Sequence, residues 1–368
     1  MSNNINEQSV LDALKSVTYP GEELNIVSSG MVQDDLTIED GRVSFSILFK
    51  RAKDPFHKSV LKAAEHAVRE EVGEGVEVEI TPIFPELKPV VEPKLLPQVK
   101  NIIAVSSGKG GVGKSTITAN LAVALANAGY KVGVLDADIY GPSQPRMLNL
   151  EGARPHLVET EGRELIEPAK NYGVRMLSIG FFVNPEDAVV WRGTMASNAM
   201  SQLIRDGNWG ELDYFLIDLP PGTSDIHLTL VQSLGVTGAV VVTTPQDVAL
   251  DDARKGISMF QEEKISVPVL GLVENMSWFT PAELPDNRYY IFGKDGGAKL
   301  AKETGTKLLG QVPLVQSVRE GADKGEPVAL KEDTIMGLAF KELASELVKA
   351  VDERWRDLPP THKVKMNR

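Results

Sequence analysis

The chain has 368 residues, of which 42% are hydrophobic and 24% charged, a composition typical of a folded globular protein with about two domains. Its 51 acidic and 39 basic side chains give a formal net charge of −12, which argues against binding to nucleic acid or to an anionic membrane surface. It contains no cysteine, which excludes disulfides, thiolate zinc sites, cysteine nucleophiles and iron–sulfur ligation by cysteine from this chain.

Residues 1–81 predict a small α+β domain. The spacing of apolar residues predicts a short helix over 9–17, and alternating apolar and polar residues around a glycine turn predict a β-hairpin over 36–49. A second amphipathic helix is predicted over 55–72, followed by an alternating strand over 76–80.

Residues 99–353 predict a larger α/β domain, preceded by a proline-rich linker over 82–98 and followed by a tail over 354–368. Apolar strands alternate with helices in this domain, and strands that are buried on both faces indicate a doubly wound, mostly parallel sheet. The predicted strands are 102–105, 131–135, 214–217, 238–242 and 269–273, and the predicted helices are 114–128 and 335–351.

A glycine-rich segment follows the first strand of the larger domain and reads Gly108-Lys109-Gly110-Gly111-Val112-Gly113-Lys114-Ser115-Thr116. The spacing matches the Walker A motif, in which glycines let successive backbone N–H groups face a polyphosphate at the N-terminus of the next helix. In that motif Lys114 contacts the β- and γ-phosphates and Ser115 ligates Mg²⁺. All nine residues are therefore candidate nucleotide-binding residues.

The same glycines fit a second pattern, the dinucleotide-binding fingerprint, as Gly108, Gly110 and Gly113, with Asp136 near the place of a ribose-binding acid. That alternative predicts NAD(P) binding. It does not explain why a Lys-Ser pair follows the last glycine, nor why a later apolar strand ends in Asp218. Three apolar residues before an aspartate are typical of a Walker B strand that orients Mg²⁺, so we favour the P-loop interpretation.

Two carboxylates, Asp136 and Asp138, close the next predicted strand. Ligands of open α/β sheets bind at the carboxyl ends of the strands, so both are candidate site residues. Asp136 joins Ser115 and Asp218 as a candidate Mg²⁺ ligand, although an aspartate after a strand also commonly caps a turn.

Asn275 ends another predicted strand, and its amide has the donor and acceptor needed to pair with adenine. A strand-terminal asparagine is more often a turn residue. The strand ends carry no Asn-Lys-x-Asp guanine signature, which favours ATP over GTP.

Lys109 and Lys114 together resemble the deviant Walker A class, which includes the nitrogenase iron protein and the division- and plasmid-positioning ATPases. The resemblance implies a nucleotide-sandwich homodimer in which Lys109 reaches the phosphates of the partner subunit. It also implies that Asp138 orients the attacking water and that Asn275 reads the base. The implied catalytic residues are Lys109, Lys114, Asp138 and Asp218.

Further segments resemble one family, the Mrp-type iron–sulfur carrier ATPases, over about residues 99–350. They are Ile139–Ser143, Trp191–Gly193, Asp218–Asp225, Thr244–Gln246, Glu274–Ser277 and Ile291–Gly293. Residues 26–32 resemble the small iron–sulfur-assembly domain that is often fused to that ATPase. The resemblance implies a Mg²⁺-dependent ATPase in iron–sulfur cluster carriage or iron–sulfur protein maturation, with apo iron–sulfur proteins as clients.

The chain departs from that family where the Cys-x-x-Cys pair of the cluster site is expected. Residues 278–290 contain no cysteine there, and Glu283 or Asp286 would be poor substitutes because iron in such clusters prefers thiolate. Cluster binding by the chain's own cysteines is therefore excluded. The aromatic residues Trp278, Phe279, Tyr289, Tyr290 and Phe292 form either a partner-docking patch or part of a core or dimer interface.

A positioning or partner-binding switch like the ParA and MinD ATPases, without iron–sulfur chemistry, is the alternative function. Against it, residues 359–368 are too short and polar for a membrane-targeting helix. The polar N-terminus lacks the features of a signal peptide and no apolar stretch is long enough to span a bilayer, which predicts a cytoplasmic protein with no membrane partner.

Overall fold

A computed structural model describes residues 6–359 except 40, 52–53, 74–75, 86–94, 140, 183–192, 224–226, 228–229, 232–233, 264, 282 and 285. The chain divides into two compact units, Met1–Glu92 and Pro93–Arg368. Several residues of the resemblance lie outside the described part, namely Tyr140, Trp191, Arg192, Ser224 and Asp225, as does most of the predicted linker. No described helix is long and apolar enough to cross a membrane.

The first unit is a three-stranded sheet packed against two helices. Its elements are α1 (Glu7–Leu14), β1 (Thr37–Glu39), β2 (Arg42–Leu48), α2 (His57–Val72) and β3 (Glu77–Ile83). The predicted hairpin is confirmed as the antiparallel pair β1–β2, and β3 pairs with β2 in parallel. The apolar face of α2 and the inward side chains of β2 form one buried core, as the alternating and helical spacings predict.

Strand β3 runs two residues into the predicted linker. Pro82 pairs with Ile47 in the ladder, and Ile83 pairs with Leu48. A proline is tolerated there because β3 is an edge strand of this sheet, where its missing N–H breaks no second ladder. The prediction ended this strand too early, because it treated every proline from residue 82 onwards as part of the linker.

The second unit contains an eight-stranded sheet and a separate hairpin. Its strands are β4 (Val99–Ser106), β5 (Val132–Asp136), β6 (Leu157–Thr160), β7 (Arg163–Ile166), β8 (Ala169–Asn171), β9 (Val174–Ser178), β10 (Leu212–Asp218), β11 (Gly238–Thr243), β12 (Val269–Phe279) and β13 (Leu308–Leu314). The sheet order is β13-β12-β11-β4-β10-β5-β9-β8, while β6 and β7 form the hairpin. All pairs of the large sheet are parallel except β8–β9, so the doubly wound, mostly parallel architecture is confirmed.

The helices of this unit are α3 (Lys114–Asn127), α4 (Gln144–Met147), α5 (Gly193–Asp206), α6 (Asp247–Gln261), α7 (Gly296–Thr304), α8 (Gln316–Lys324) and α9 (Ile335–Asp357), with short 3₁₀ turns at Ile179–Phe181 and Val328–Leu330. Successive residues of β4 enter two different apolar clusters, Ile102 in one and Ile103 in the other. Because neighbouring strand residues point to opposite faces, the sheet has a core on each side.

The strand order brings two acidic strand ends together. Strand β10 lies between β4 and β5, and Asp218 pairs with Val105 on one side and Asp136 on the other. In the dinucleotide-binding fold the strand after the glycine-rich helix pairs directly with the strand before it. Here β10 separates them, which argues against the NAD(P) alternative.

The last helix is longer than the predicted 335–351 and includes the first residues of the predicted tail. Arg354 is buried, and its guanidinium donates hydrogen bonds to the carbonyls of Thr237, Leu358 and Pro359. An arginine can be buried when its donors are satisfied in this way. The helix therefore continues past Arg354, although a charged residue at this position suggested an exposed tail.

Helix α9 provides a direct stability test, because two neighbouring apolar residues lie on opposite sides of it. Phe340 is fully buried in the sheet core, whereas the side chain of Leu338 is 54% exposed. We expect Phe340→Ala to lower the free energy of unfolding of the larger unit by about 3–5 kcal/mol and Leu338→Ala to change it by less than about 0.5 kcal/mol. Urea unfolding followed by tryptophan fluorescence measures both, because all four tryptophans belong to this unit. Equal losses in the two variants would contradict the packing.

Candidate nucleotide site

The glycine-rich segment connects β4 to α3, and three of its glycines are required for different reasons. Gly111 and Gly113 have φ values of 86° and 84°, in the left-handed region that favours glycine. A Cβ at Gly113 would also overlap the side-chain nitrogen of Asn275, and one at Gly108 would overlap the backbone of Asp252. Helix α3 begins at Lys114, directly after Gly113. The free N–H groups of its first turn therefore face the loop, as the P-loop interpretation predicts.

The two principal motif residues meet in a buried ion pair. Lys114 Nζ lies 2.5 Å from Asp218 Oδ1, and both side chains are buried. The Thr118 hydroxyl donates to the same carboxylate oxygen at 3.0 Å, while Lys114 Nζ lies 3.2 Å from Ser115 Oγ. Charged and neutral donors of this kind offset the loss of hydration of a buried carboxylate. Thr118 was not among the predicted site residues, although its place one helical turn after Lys114 puts it on the same helix face.

A second residue that was not predicted, Gln144, donates a hydrogen bond to the other carboxylate oxygen of Asp218. Gln144 Nε2 donates to Asp218 Oδ2 at 2.9 Å and to the Ser115 backbone carbonyl at 2.9 Å. Its side chain is fully buried at the start of α4. No spacing rule marks this position, since the glutamine follows a Gly-Pro-Ser turn and enters the site only through the fold.

Asp136 is fully buried beside the ion pair and accepts three hydrogen bonds. Its Oδ2 receives the Ser178 hydroxyl at 3.0 Å and the Gln144 backbone N–H at 3.3 Å, and its Oδ1 receives the Asp138 backbone N–H at 3.2 Å. Burial, reinforced by the negative charge of Asp218, raises the pKa of Asp136 from 3.8 to about 8. Asp136 therefore both caps the following turn and places a carboxyl next to the ion pair.

The remaining predicted residues of the loop region do not all join this cluster. Lys109 is exposed, and its backbone carbonyl accepts a hydrogen bond from the Ser107 hydroxyl. Asp138 is half-buried just beyond β5. The loop after β10 is tied to the start of the P-loop, because the Gly222 N–H donates to the Ser107 carbonyl at 2.9 Å.

Asn275 contacts the P-loop from β12. Its Nδ2 donates to the Val112 carbonyl at 2.8 Å, and its side chain is buried. The preceding Glu274 is buried as well and accepts hydrogen bonds from the Gly297 N–H at the start of α7 and from Gln311 Nε2. The partly positive helix N-terminus favours a carboxylate at this place. In this structure the Asn275 amide thus holds the loop in shape.

The aromatic segment after β12 closes on itself and leaves aromatic surface exposed. Phe279 and Tyr289 exchange two backbone hydrogen bonds of 2.8 Å, and the Arg288 guanidinium lies 4.3 Å from the ring centre of Trp278. Tyr289 and Tyr290 are exposed in the single chain. Within the described residues, no group of three or more His, Asp or Glu side chains is arranged to hold a metal ion.

Comparison with known proteins gives two family matches that cover both units. Residues 98–348 match the family described as NUBPL iron-transfer P-loop NTPase, and residues 7–80 match the iron–sulfur cluster assembly protein family. The resemblance seen in the sequence is confirmed by these matches.

Relatives and a solved structure agree with the family matches. The chain is 47% identical to an iron–sulfur cluster carrier protein of Synechocystis over 88% of this chain and 91% of that protein. It is 47% identical to a mitochondrial iron–sulfur protein of Arabidopsis thaliana required for NADH dehydrogenase, over 69% of this chain and 80% of that protein. A nucleotide-binding protein of Archaeoglobus fulgidus, solved in complex with ADP, aligns with a TM-score of 0.54 and 36% identity, covering 63% of this chain and 88% of its own.

The buried Asp136 carboxyl predicts how stability depends on pH. Folding raises its pKa from 3.8 to about 8, so the folded state keeps a proton that the unfolded chain releases over this range. Its contribution to stability is therefore full below about pH 4 and is lost as the pH rises towards 8, with a slope of up to about 1.4 kcal/mol per pH unit. We expect urea unfolding of the nucleotide-free protein between pH 5 and 8 to show this slope, and Asp136→Asn to remove it.

Asp213, on the neighbouring strand β10, is a matched control. A hydrogen bond from Lys100 lowers the pKa of Asp213, so this carboxylate stays ionised over the whole range. Asp213→Asn should therefore leave the slope unchanged. A slope that persists in Asp136→Asn would show that another group titrates.

Proposed function

Because the chain belongs to the family of NUBPL-type iron-transfer P-loop NTPases, we propose that it is a Mg²⁺-dependent, homodimeric ATPase acting in iron–sulfur cluster carriage or iron–sulfur protein maturation. The observation that carries the proposal is the buried cluster in which Lys114, Ser115, Asp136 and Asp218 meet beside the N-terminus of α3. We further propose that the protein works in the cytoplasm on apo iron–sulfur client proteins, without nucleic-acid or membrane partners.

The donor set suits a nucleotide with Mg²⁺. Ser115, Asp136 and Asp218 present hard oxygen ligands of the kind that Mg²⁺ prefers, and the backbone N–H groups of the loop and helix start suit phosphate. Bound Mg²⁺ would supply neutralisation of the phosphate charge. When nucleotide binds, Lys114 would leave its ion pair with Asp218 and contact the phosphates instead. The Asp218 carboxylate would then be free to hold Mg²⁺.

Hydrolysis in this proposal depends on positioning and charge. Lys114 and the loop amides hold the charge that develops on the γ-phosphate, and Asp138 orients the attacking water. Lys109 is exposed on its own loop, which suits a side chain that serves the site of a partner subunit. Asn275 contributes by fixing the loop through Val112 and, after rearrangement, by pairing with adenine.

The iron–sulfur cluster enters the proposal as cargo, and this chain offers no cysteine to hold it. We propose that the chain acts as a nucleotide-gated scaffold or carrier whose cluster ligands come from clients or an external thiol. The alternative of a positioning switch without iron–sulfur chemistry is not favoured, because both units match families named for iron–sulfur work.

Lys109 offers the cleanest test of a shared active site. Lys114 is less suitable, because removing it leaves the buried Asp218 without its cation and would itself destabilise the fold. Lys109 is exposed, so Lys109→Met should melt like the wild type and bind nucleotide, yet hydrolyse ATP at least about tenfold more slowly. Phosphate release and thermal melting measure the two properties.

Mixing two inactive variants separates a shared site from a self-contained one. In a mixed dimer of Lys109→Met and Asp138→Asn, one of the two sites has both residues, since each site takes its Lys109 from the partner. Random exchange should therefore restore about a quarter of wild-type hydrolysis. The Lys109→Met protein alone is the control. Activity that stays at the level of the two variants would overturn the shared site.

Reconstitution with iron tests where the cluster ligands come from. Anaerobic incubation with ferrous iron and sulfide, followed by desalting, should leave no stoichiometric cluster, because the chain has no cysteine. Visible absorption and iron analysis provide the measurement, and a parallel sample with glutathione tests for an external thiol. A stoichiometric cluster formed without added thiol would contradict the scaffold proposal.

A further inference from the structure

Gln144 occupies the centre of the site but belongs to none of the motifs that predicted it. Its side-chain nitrogen bridges Asp218 Oδ2 and the Ser115 carbonyl, each at 2.9 Å. Its backbone N–H donates to Asp136 Oδ2 at 3.3 Å. One residue thus contacts both buried carboxylates and the start of the P-loop helix.

The other end of the same amide is unsatisfied. Gln144 Oε1 is buried and has no hydrogen-bond partner among the described residues. Exchanging the oxygen and nitrogen would place Oε1 against two acceptors, the Asp218 carboxylate and the Ser115 carbonyl, so the partners fix the orientation of the amide. A buried acceptor without a donor costs free energy, and a ligand that supplies a donor recovers it.

The position of this acceptor restricts which donor can reach it. Oε1 is bonded to the same carbon as Nε2, so it lies next to the atom that contacts Ser115 and Asp218, on a residue whose backbone N–H contacts Asp136. These residues are the oxygen ligands assigned above to Mg²⁺. Mg²⁺ dehydrates reluctantly and keeps several waters when it binds to proteins. Such waters are donors, and a buried carbonyl beside the metal ligands is a suitable acceptor for one of them.

We propose that Gln144 is a positioning residue of the magnesium–nucleotide site: its amide nitrogen holds the Asp218 carboxylate against the P-loop, and its unpaired carbonyl accepts a hydrogen bond from the hydration shell of Mg²⁺. The same residue begins α4, six positions after Asp138. It therefore also ties the segment that carries Asp138 to the metal ligands. This inference rests on the proposed function, and its test measures binding rather than turnover.

The experiment compares nucleotide affinity with and without Mg²⁺ in wild type and in Gln144→Met, which keeps the length of the side chain but removes both polar ends. The probe is ADP carrying a fluorescent N-methylanthraniloyl group, titrated in EDTA and then at increasing Mg²⁺. We expect affinity in EDTA to stay within about twofold of wild type, while the Mg²⁺ concentration at half-saturation rises about tenfold or more.

Gln311→Met is a matched control, because Gln311 Nε2 also donates to a buried carboxylate, Glu274, away from the proposed metal ligands. It should lower the melting temperature without changing the Mg²⁺ requirement. Should Gln144→Met melt below the assay temperature, Gln144→Asn replaces it; this side chain keeps an amide but is too short to bridge Ser115 and Asp218, and the same rise is expected.

The outcomes separate this inference from the proposal beneath it. A wild-type protein whose nucleotide affinity ignores Mg²⁺ overturns the proposed function and, with it, the role of Gln144. A wild type that responds to Mg²⁺, together with Gln144 variants that need no more of it, overturns the inference alone.

Discussion

The buried ion pair between Lys114 and Asp218 is the interaction on which the site depends. Two opposite charges out of water are tolerated only when each has good partners, and here a hydroxyl and an amide complete the carboxylate. Those partners come from α3 and from α4, so the Asp218 carboxylate at the end of β10 holds the P-loop helix and the segment after β5 together. Any ligand that takes the lysine must compensate the aspartate at the same time.

The strand order explains why that interaction is possible at all. Inserting β10 between β4 and β5 places the ends of three neighbouring parallel strands at one edge of the sheet. Asp218 and Asp136 are then paired across the ladder, and burial together with the nearby charge of Asp218 raises the pKa of Asp136. Two carboxyl groups at this edge are unfavourable without a cation, and Lys114 supplies one.

The sequence predicts the parts of this site that are local. Glycines with positive φ, the lysine and serine that follow them, and an aspartate after three apolar residues are recognisable from spacing alone, because the backbone conformation and the helix start require them. Thr118 was recoverable from its helical spacing to Lys114. Gln144 could not be predicted, because its contacts join segments that are far apart in the chain and depend on the order of the strands.

The same distinction holds for the fold. Apolar strands of the sheet centre were predicted because burial on both faces gives an uninterrupted apolar run. Strand β13 contains Gly310 and Pro313, and β8 has only three residues, so neither carries that signal. The end of α9 was misplaced because Arg354, charged yet buried, is satisfied by carbonyls that no local pattern reveals.

Strand β12 carries two features that were described separately, the Asn275 contact with the P-loop and the closure of the aromatic segment at Phe279. They are four residues apart on one strand, and the pairing of β12 with β13 is irregular between them, where Met276 has a left-handed φ of 55°. A change in the shape of the P-loop that moves Asn275 would therefore be passed along the same strand towards the exposed Tyr289 and Tyr290, which lie beside Phe279.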